Sequence, residues 1–363
     1  MRKKDLVRIL FSLLLINLLD GCSYRRSTMP DTLQKQALMA LSEQERKTKN
    51  FKNHIDVSIP IKLSDNNNIK LQAEVSRPEK KVEPKTLFIL VPGSGNVSRR
   101  GETAGDGVDV YATPIEIYSL WSNTLSESGY FVLSYDKRTC NNKFNILCKN
   151  NPTKDIDENG IKALAQDLDQ IYDFAASKLA SASDNTKIIL MTTTQGTQVI
   201  TQSACAKKAS AIILLSPIIG DLGSMWVEGL MRAHRQKTNP THKNRLLNEA
   251  ETTKSFFSSL QNNKFPDSSQ VHGASVKFWR SWVQSSARTV EALAALNKNI
   301  LVLLSDHDVF SSAERLIKNQ KYLQKSHNFS IKIIKDADRN FINNGHLADK
   351  AGQEVVNFVK RIK

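Results

Sequence analysis

From His54 onward, short continuous apolar runs alternate with longer stretches whose apolar positions recur every three to four residues. His54 to Ile61 and Ile69 to Val75 flank the polar stretch Asp65-Asn66-Asn67-Asn68, a pattern that predicts a β-hairpin. Thr86 to Val91 is an unbroken apolar run ending in Pro92-Gly93-Ser94-Gly95, the form of a buried parallel strand that feeds a tight loop. Pro114 to Gly129 has helical periodicity with proline at its start, and Tyr130 to Tyr135 is another buried strand. Ile161 to Leu179 is an amphipathic helix with Leu164, Leu168, Ile171, Phe174 and Ala175 on one face. Lys187 to Thr193 and Ala209 to Leu215 predict two more strands around a helix from Gln195 to Lys208.

After Ser216-Pro217 the alternation stops for about 80 residues, and Trp226 to Leu296 carries only helical pattern. Insertions of this kind usually sit over the functional end of a sheet, so residues 221–296 are read as a helical cap. Within it, Phe278-Trp279-Arg280-Ser281-Trp282 has aromatic spacing that fits core better than a stacking platform, while Met225 and Trp226 are candidates to face a pocket. Asn299 to Ser305 and Ser330 to Lys335 resume the strands around a helix from Ser312 to Gln324, and a last helix runs from Ala348 to Ile362. Strands alternating with helices imply an α/β class with a mostly parallel central sheet, flanked by helices and joined by right-handed crossovers.

The front of the chain reads as an address. Arg2, Lys3, Lys4 and Arg8 precede an apolar run from Ile9 to Leu19, shorter than the ~20 residues that a spanning helix needs. Residues 1–21 therefore read as a secretory signal. The Leu19-Asp20-Gly21-Cys22 stretch that closes it resembles the bacterial lipobox, although Asp20 is unusual for its slot. That resemblance implies a lipid on Cys22, which becomes the new N-terminus, and the following Ser23 then favours the outer membrane of the cell envelope. The alternative is a plain signal with an incidental cysteine. Residues 22–53 are polar and charged, which suits a tether between the lipid and a folded body at 54–363.

Composition adds limits rather than a fold. The chain has 363 residues, 40% hydrophobic and 24% charged, which excludes disordered, collagenous and multi-span membrane classes. A net charge of +15 favours anionic surfaces, yet it is scattered and no nucleic-acid motif accompanies it, so nucleic acid is not an expected partner. The expected partner is the membrane, through Cys22; no protein partner is legible. Cys140 and Cys148 bracket a loop of seven residues, and in an oxidising compartment the preferred reading is a disulfide, with two buried thiols as the alternative. Cys205 is left as a buried thiol. Their spacing is no metal signature, the adjacent Asp306-His307-Asp308 side chains tend to point apart, and neither metal nor cofactor is expected.

The order of elements over residues 60–360 resembles the α/β-hydrolases, within them the bacterial esterase and peptidase-like branch. Phe88 to Gly95 resembles that branch's strand and oxyanion loop, and Tyr130 to Arg138 its next strand and Asp-x-Arg turn. Lys187 to Gly196 takes the place of the nucleophile elbow, and Leu301 to Asp308 that of the acid-bearing strand. The resemblance implies an α/β-hydrolase fold with Asp308 as the orienting carboxylate; a surface turn with solvated aspartates is the alternative. Thr194 falls in the nucleophile slot, and the glycine normally two before it is Thr192. A β-branched residue at the positive φ of an elbow is disfavoured by ~1–3 kcal/mol, which favours an elbow relaxed from that form. Where relatives carry histidine in an Ala-Asp-His-Asn-Phe stretch, this chain reads Ala337-Asp338-Arg339-Asn340-Phe341, and arginine cannot act as a base at neutral pH. His346, after Asn344-Gly345, is the alternative base, against a reading as a polar residue before the last helix. The oxyanion hole implied by the resemblance uses backbone N–H groups of Ser94 and Gln195.

Two functions fit this sequence. One is a carboxylic ester or acyl hydrolase with a Thr194, His346 and Asp308 triad. The other is a lipoprotein that keeps the hydrolase scaffold without catalysis and binds a ligand or protein partner at the envelope. Both expect anchoring at Cys22. In Cys22→Ser, metabolic labelling with an acyl probe should be lost and the product should stay unprocessed or become soluble; unchanged processing with membrane retention would reject the lipid.

Overall fold

The computed structural model describes residues 54–362 except 66, 80–84, 105–113, 141–147, 149–153, 181–185, 272, 311–315, 320–322, 324–328 and 344–345. The leader, the tether and Cys22 lie outside the described residues, as does most of the expected helix from Ser312 to Gln324. Eight strands form the main sheet: β1 His54–Lys62, β2 Asn68–Ser76, β3 Thr86–Val91, β4 Phe131–Tyr135, β5 Lys187–Thr194, β6 Ala211–Pro217, β7 Asn299–Ser305 and β8 Phe329–Ile334. Their spatial order is β1-β2-β4-β3-β5-β6-β7-β8. The β1–β2 hairpin and the β2–β4 pair are antiparallel, and the pairs from β4 across to β8 are parallel. Every residue of β3 and β6 is buried, as continuous apolar runs require when helices cover both faces.

Two apolar layers result. On one face, α1 (Ile117–Glu127) and the terminal α8 (Asp349–Arg361) bury Trp121, Leu125, Val355 and Phe358 against Phe88, Val132 and Phe341. On the other, α2 (Ile161–Phe174) and α3 (Gly196–Gln202) bury Leu164, Leu168, Ile171, Val199 and Ile200 against the alternate residues of the same strands. Several expected boundaries shift. The helix predicted from Pro114 starts at Ile117, because Pro114–Glu116 pairs as a short strand with Glu102–Ala104. The helix from Ile161 changes to a wider π turn at Ala175–Leu179. The helix after β5 stops at Gln202 and resumes as a 3₁₀ turn, because Asp169 on α2 accepts the Ser203 hydroxyl at 2.6 Å and the Cys205 N–H at 2.8 Å. Cys205 is buried there, and burial pushes its thiol up to about 12.

Between β6 and β7 the chain forms α4 (Leu222–Gln236), α5 (Pro240–Gln261), α6 (Val276–Ala287) and α7 (Thr289–Leu296). Asp221, Asn239 and Ser275 cap the first three through side-chain oxygens that accept N–H groups of Ser224, His242 and Phe278. The aromatic residues that the sequence assigns to core are core: Trp279 stacks on Trp282 at 5.4 Å between ring centroids, and Trp226 meets Trp282 edge-on at 5.8 Å. Met225 and Trp226 are buried in the same cluster. The cap docks on the sheet domain through several contacts, among them Trp282 Nε1 donating to Gln198 Oε1 at 3.3 Å. Ile161 N–H donates to Ser281 Oγ at 3.0 Å, and Gly229 lies so close to Phe310 that an added Cβ would stand 2.3 Å from its ring. Among the described residues no helix is long and apolar enough to cross a membrane.

Cys140 and Cys148 are joined in a disulfide with their Cα atoms 5.3 Å apart. It follows the buried Arg138, whose guanidinium is held by Asp155 and by both oxygens of Asp167, the Nε donating to Asp167 Oδ2 at 2.9 Å. This joins the turn after β4 to α2 and to the short helix Lys154–Asn159. Burial raises the Asp167 carboxyl to about 6, and Arg138 opposes that rise. Arg138→Met should therefore cost about 3–5 kcal/mol by leaving a buried carboxylate uncompensated. A raised carboxyl binds more protons folded than unfolded, so stability falls as pH rises from about 4 to above 6, and without Arg138 that fall extends higher. Thermal melts at pH 5 and pH 7 check it: the deficit against wild type should be larger at pH 7, and an equal deficit would reject the charge account.

Candidate active site

The elbow is not relaxed. Thr194, the last residue of β5, has φ +45°, and β5 shifts register against β6 between Thr193 and Thr194. Two neighbours explain how the strained turn persists. Thr192 turns inward, its Oγ1 donating to Val91 O at 2.9 Å, and occupies the space beside Gly196: a Cβ on Gly196 would lie 1.7 Å from that oxygen. The bulk of the missing first glycine is thus accommodated by the second. Across the gap, Gly93 passes so close that a Cβ there would lie 2.3 Å from Thr193 Oγ1 and 2.7 Å from Thr194 Oγ1.

The loop after β3 faces Thr194 with two donors. Ser94 N–H and the Ser94 hydroxyl each donate to Thr194 Oγ1 at 3.0 Å. The first is the backbone group expected of an oxyanion hole. Gln195, the residue expected to supply the second, begins the turn into α3 and is buried. Behind the loop, Gly93 N–H donates to the hydroxyl of Tyr118 on α1 at 2.8 Å, and that hydroxyl lies 3.4 Å from Thr193 Oγ1. Lys137, buried at the end of β4, donates from Nζ to Gly93 O at 2.8 Å, Gly95 O at 3.1 Å and Gln195 Oε1 at 2.6 Å. Burial pulls its ammonium down to about 7. The sequence reading treats Lys137 as the variable residue of an Asp-x-Arg turn; its one signal is an ionisable side chain beside a buried strand end.

The residues that the resemblance marks for acid and base, Asp308 and Arg339, lie in the loops after β7 and β8. Asp308 is buried, and its Oδ1 accepts the Phe310 N–H at 2.8 Å. Arg339 stands beside it: both line a cavity of ≈ 330 Å³ with Ala233, Lys237, His307 and Phe310. The Arg339 guanidinium lies over the Phe310 ring, 4.9 Å from its centroid. Its backbone oxygen accepts the hydroxyl of Ser216 at 3.0 Å, next to Pro217, the residue of β6 that pairs with Thr194. Ser216 thus ties the loop of Arg339 to the strand end that pairs with Thr194.

His346 is placed elsewhere. It is exposed, in a short strand pair where His346 faces Asn343, while its neighbour Leu347 packs into the layer of Trp121 and Phe341. Among the described residues, no hydrogen bond joins His346 to Thr194 or Asp308. The structure therefore brings Thr194, Ser94 and Gln195 together, sets Asp308 beside Arg339, and leaves His346 on the surface. Asp306 and His307, whose side chains were expected to point apart, do approach Asp336: their ligand atoms lie within 4.8 Å of one another, with all three residues exposed.

No protein-family model and no curated protein matches the chain. Solved structures do. A thermostable carboxyl esterase from Bacillus coagulans, solved with glycerol, superposes with a TM-score of 0.53 at 14% identity, over 85% of this chain and 98% of that one. An esterase from Pyrococcus furiosus gives 0.52 at 15% identity, over 85% and 91% of the two chains. A lipase in its open form gives 0.53 at 12%, over 85% and 99%. Identities this low carry the backbone arrangement and leave the chemistry to the residues. With its mostly parallel eight-stranded sheet flanked by helices, the chain has the α/β-hydrolase fold.

Proposed function

We propose that the protein is a lipid-anchored, non-hydrolytic member of the cell envelope that uses its hydrolase-type site to hold a small carboxylate-bearing ligand. One observation carries this reading: Arg339, which is not a proton acceptor, lines one cavity with Asp308, while the Thr194 hydroxyl is met by the N–H and O–H of Ser94. A nucleophilic hydroxyl needs a base within hydrogen-bond reach to take its proton. A permanently charged guanidinium supplies instead a counter-ion for a carboxylate. Asp308 and Asp338 line the same cavity, Asp338 Oδ1 accepting the N–H groups of Asn340 and Ile342, each at 2.8 Å, so a carboxylate ligand competes with them for the guanidinium. Lys237 adds a second cation to the lining.

The competing reading, a Thr194, His346 and Asp308 ester hydrolase, draws support from the retained φ of +45° at Thr194 and from the Ser94 N–H aimed at its oxygen. Two measurements separate them, both on the full-length protein in detergent. Butyrate and octanoate should bind by calorimetry, and Arg339→Gln should weaken them by about tenfold or more, the worth of a charge-assisted hydrogen bond. Wild type should not hydrolyse short p-nitrophenyl esters. Hydrolysis that disappears in both Thr194→Ala and His346→Ala would overturn the binding reading in favour of the triad.

A repair experiment tests the same assignment from the other side. Thr194→Ser removes the β-branched methyl, and Arg339→His restores a base beside Asp308. The double variant should hydrolyse p-nitrophenyl esters about 10²-fold faster than either single variant, the lower end of what a positioned base contributes. Thr194→Ser alone as active as the double would show that Arg339 does not occupy the base position.

A further inference from the structure

The buried amine of Lys137 is not used by either reading of the site, yet its three contacts are all with the walls of that site. An ammonium has three N–H donors and no acceptor. Lys137 has three oxygens in reach: two backbone carbonyls of the loop after β3, and the side-chain carbonyl of Gln195 on the elbow. It therefore bridges the two turns whose N–H groups would face a ligand.

The geometry of the peptide unit makes this bridge directional. Gly93 C=O and Ser94 N–H belong to one planar trans peptide, so they point in opposite directions. With the carbonyl held by Lys137 at 2.8 Å on the inner side, the N–H faces outward, where it meets Thr194 Oγ1 at 3.0 Å. A cation on the carbonyl also polarises the peptide and strengthens its N–H as a donor. We propose that Lys137 is a positioning residue that aims the Ser94 N–H into the site, by fixing the Gly93–Ser94 peptide from behind. The inference goes beyond the functional reading, since it holds whether the group facing Ser94 N–H is a bound carboxylate or a reacting acyl oxygen.

Ionisation offers a way to see it. Burial alone draws Lys137 down to about 7, and the neutral amine keeps only two N–H donors, with a lone pair facing a carbonyl oxygen. The charged neighbours are accounted for. On its own strand end, Asp136 is bound by Arg99 at 3.2 Å, and Arg138 is bound by Asp155 and Asp167. From α1, burial raises the Tyr118 phenol above its usual range. From the elbow come only Thr193, Thr194 and Gln195, which do not titrate. Asp167, at about 6, also changes charge near neutrality, and its partner Arg138 faces α2.

Isotope labelling isolates the peptide. Glycine is followed by serine only at Gly93-Ser94 and Gly223-Ser224, so full-length protein made with carbonyl-labelled glycine and ¹⁵N-serine gives two selected cross-peaks. The second reports the cap of α4, where Ser224 N–H donates to Asp221, and serves as the internal control. In Lys137→Met the Gly93-Ser94 peak should move and the Ser94 amide should exchange about tenfold faster, the effect of one lost hydrogen bond, with the control unmoved. In wild type, the first peak should titrate between about pH 5 and about pH 9 with a midpoint of about 7, and Lys137→Met should abolish that titration. An unmoved Gly93-Ser94 peak in a variant whose control peak shows it folded overturns the proposal. Should Lys137→Met not fold, the wild-type titration decides: a peak that stays fixed over that range overturns it as well.

Discussion

The site depends on how closely two turns can approach at the ends of the neighbouring parallel strands β3 and β5. Gly93 passes Thr193 and Thr194 with no room for a Cβ, and that approach is what lets the next peptide reach the Thr194 hydroxyl. A contact this tight needs support from behind, because two polar loops pressed together would otherwise bury unsatisfied carbonyls. Tyr118 supplies an acceptor for Gly93 N–H and Lys137 supplies donors for Gly93 O and Gly95 O. The sheet fixes the strand ends, and the polar network fixes the last few ångströms.

What the sequence revealed follows from the range of the interactions involved. Strands such as Thr86–Val91 and Asn299–Ser305 are buried on both faces, so burial alone writes them as unbroken apolar runs. The polar stretch from Asp65 to Asn68 is local chemistry and is equally plain as the turn of a hairpin. The break at Ser203 is not local, because the acceptor that stops the helix is Asp169, on a different element. The elbow misled for the same reason. Propensity argues against threonine at positive φ, a cost of ~1–3 kcal/mol, but packing by Thr192, Gly93 and Ser94 determines the backbone there. Lys137 is a further case, a charged residue whose three acceptors lie 42, 44 and 58 positions away.

The same separation of ranges explains how a hydrolase framework can survive a change of purpose. Backbone donors are insensitive to side-chain replacement, so Ser94 N–H keeps its aim although the hydroxyl opposite belongs to threonine. Proton transfer has no such tolerance: it needs one residue type at one place, whereas a guanidinium such as that of Arg339 holds charge without taking a proton.

Thr192 and Gly196 also constrain the history this chain can have followed. Because the Thr192 oxygen occupies the volume that any side chain at 196 would fill, the two positions are coupled, and the order of substitution matters. A lineage that has acquired threonine at 192 can no longer replace Gly196, whereas one that still carries glycine at 192 retains that freedom. Return to a doubly glycine elbow stays open by one step at 192; drift at 196 is closed until that step is taken. The crowding at this turn thus acts as a ratchet on Gly196, independent of whatever chemistry the elbow performs.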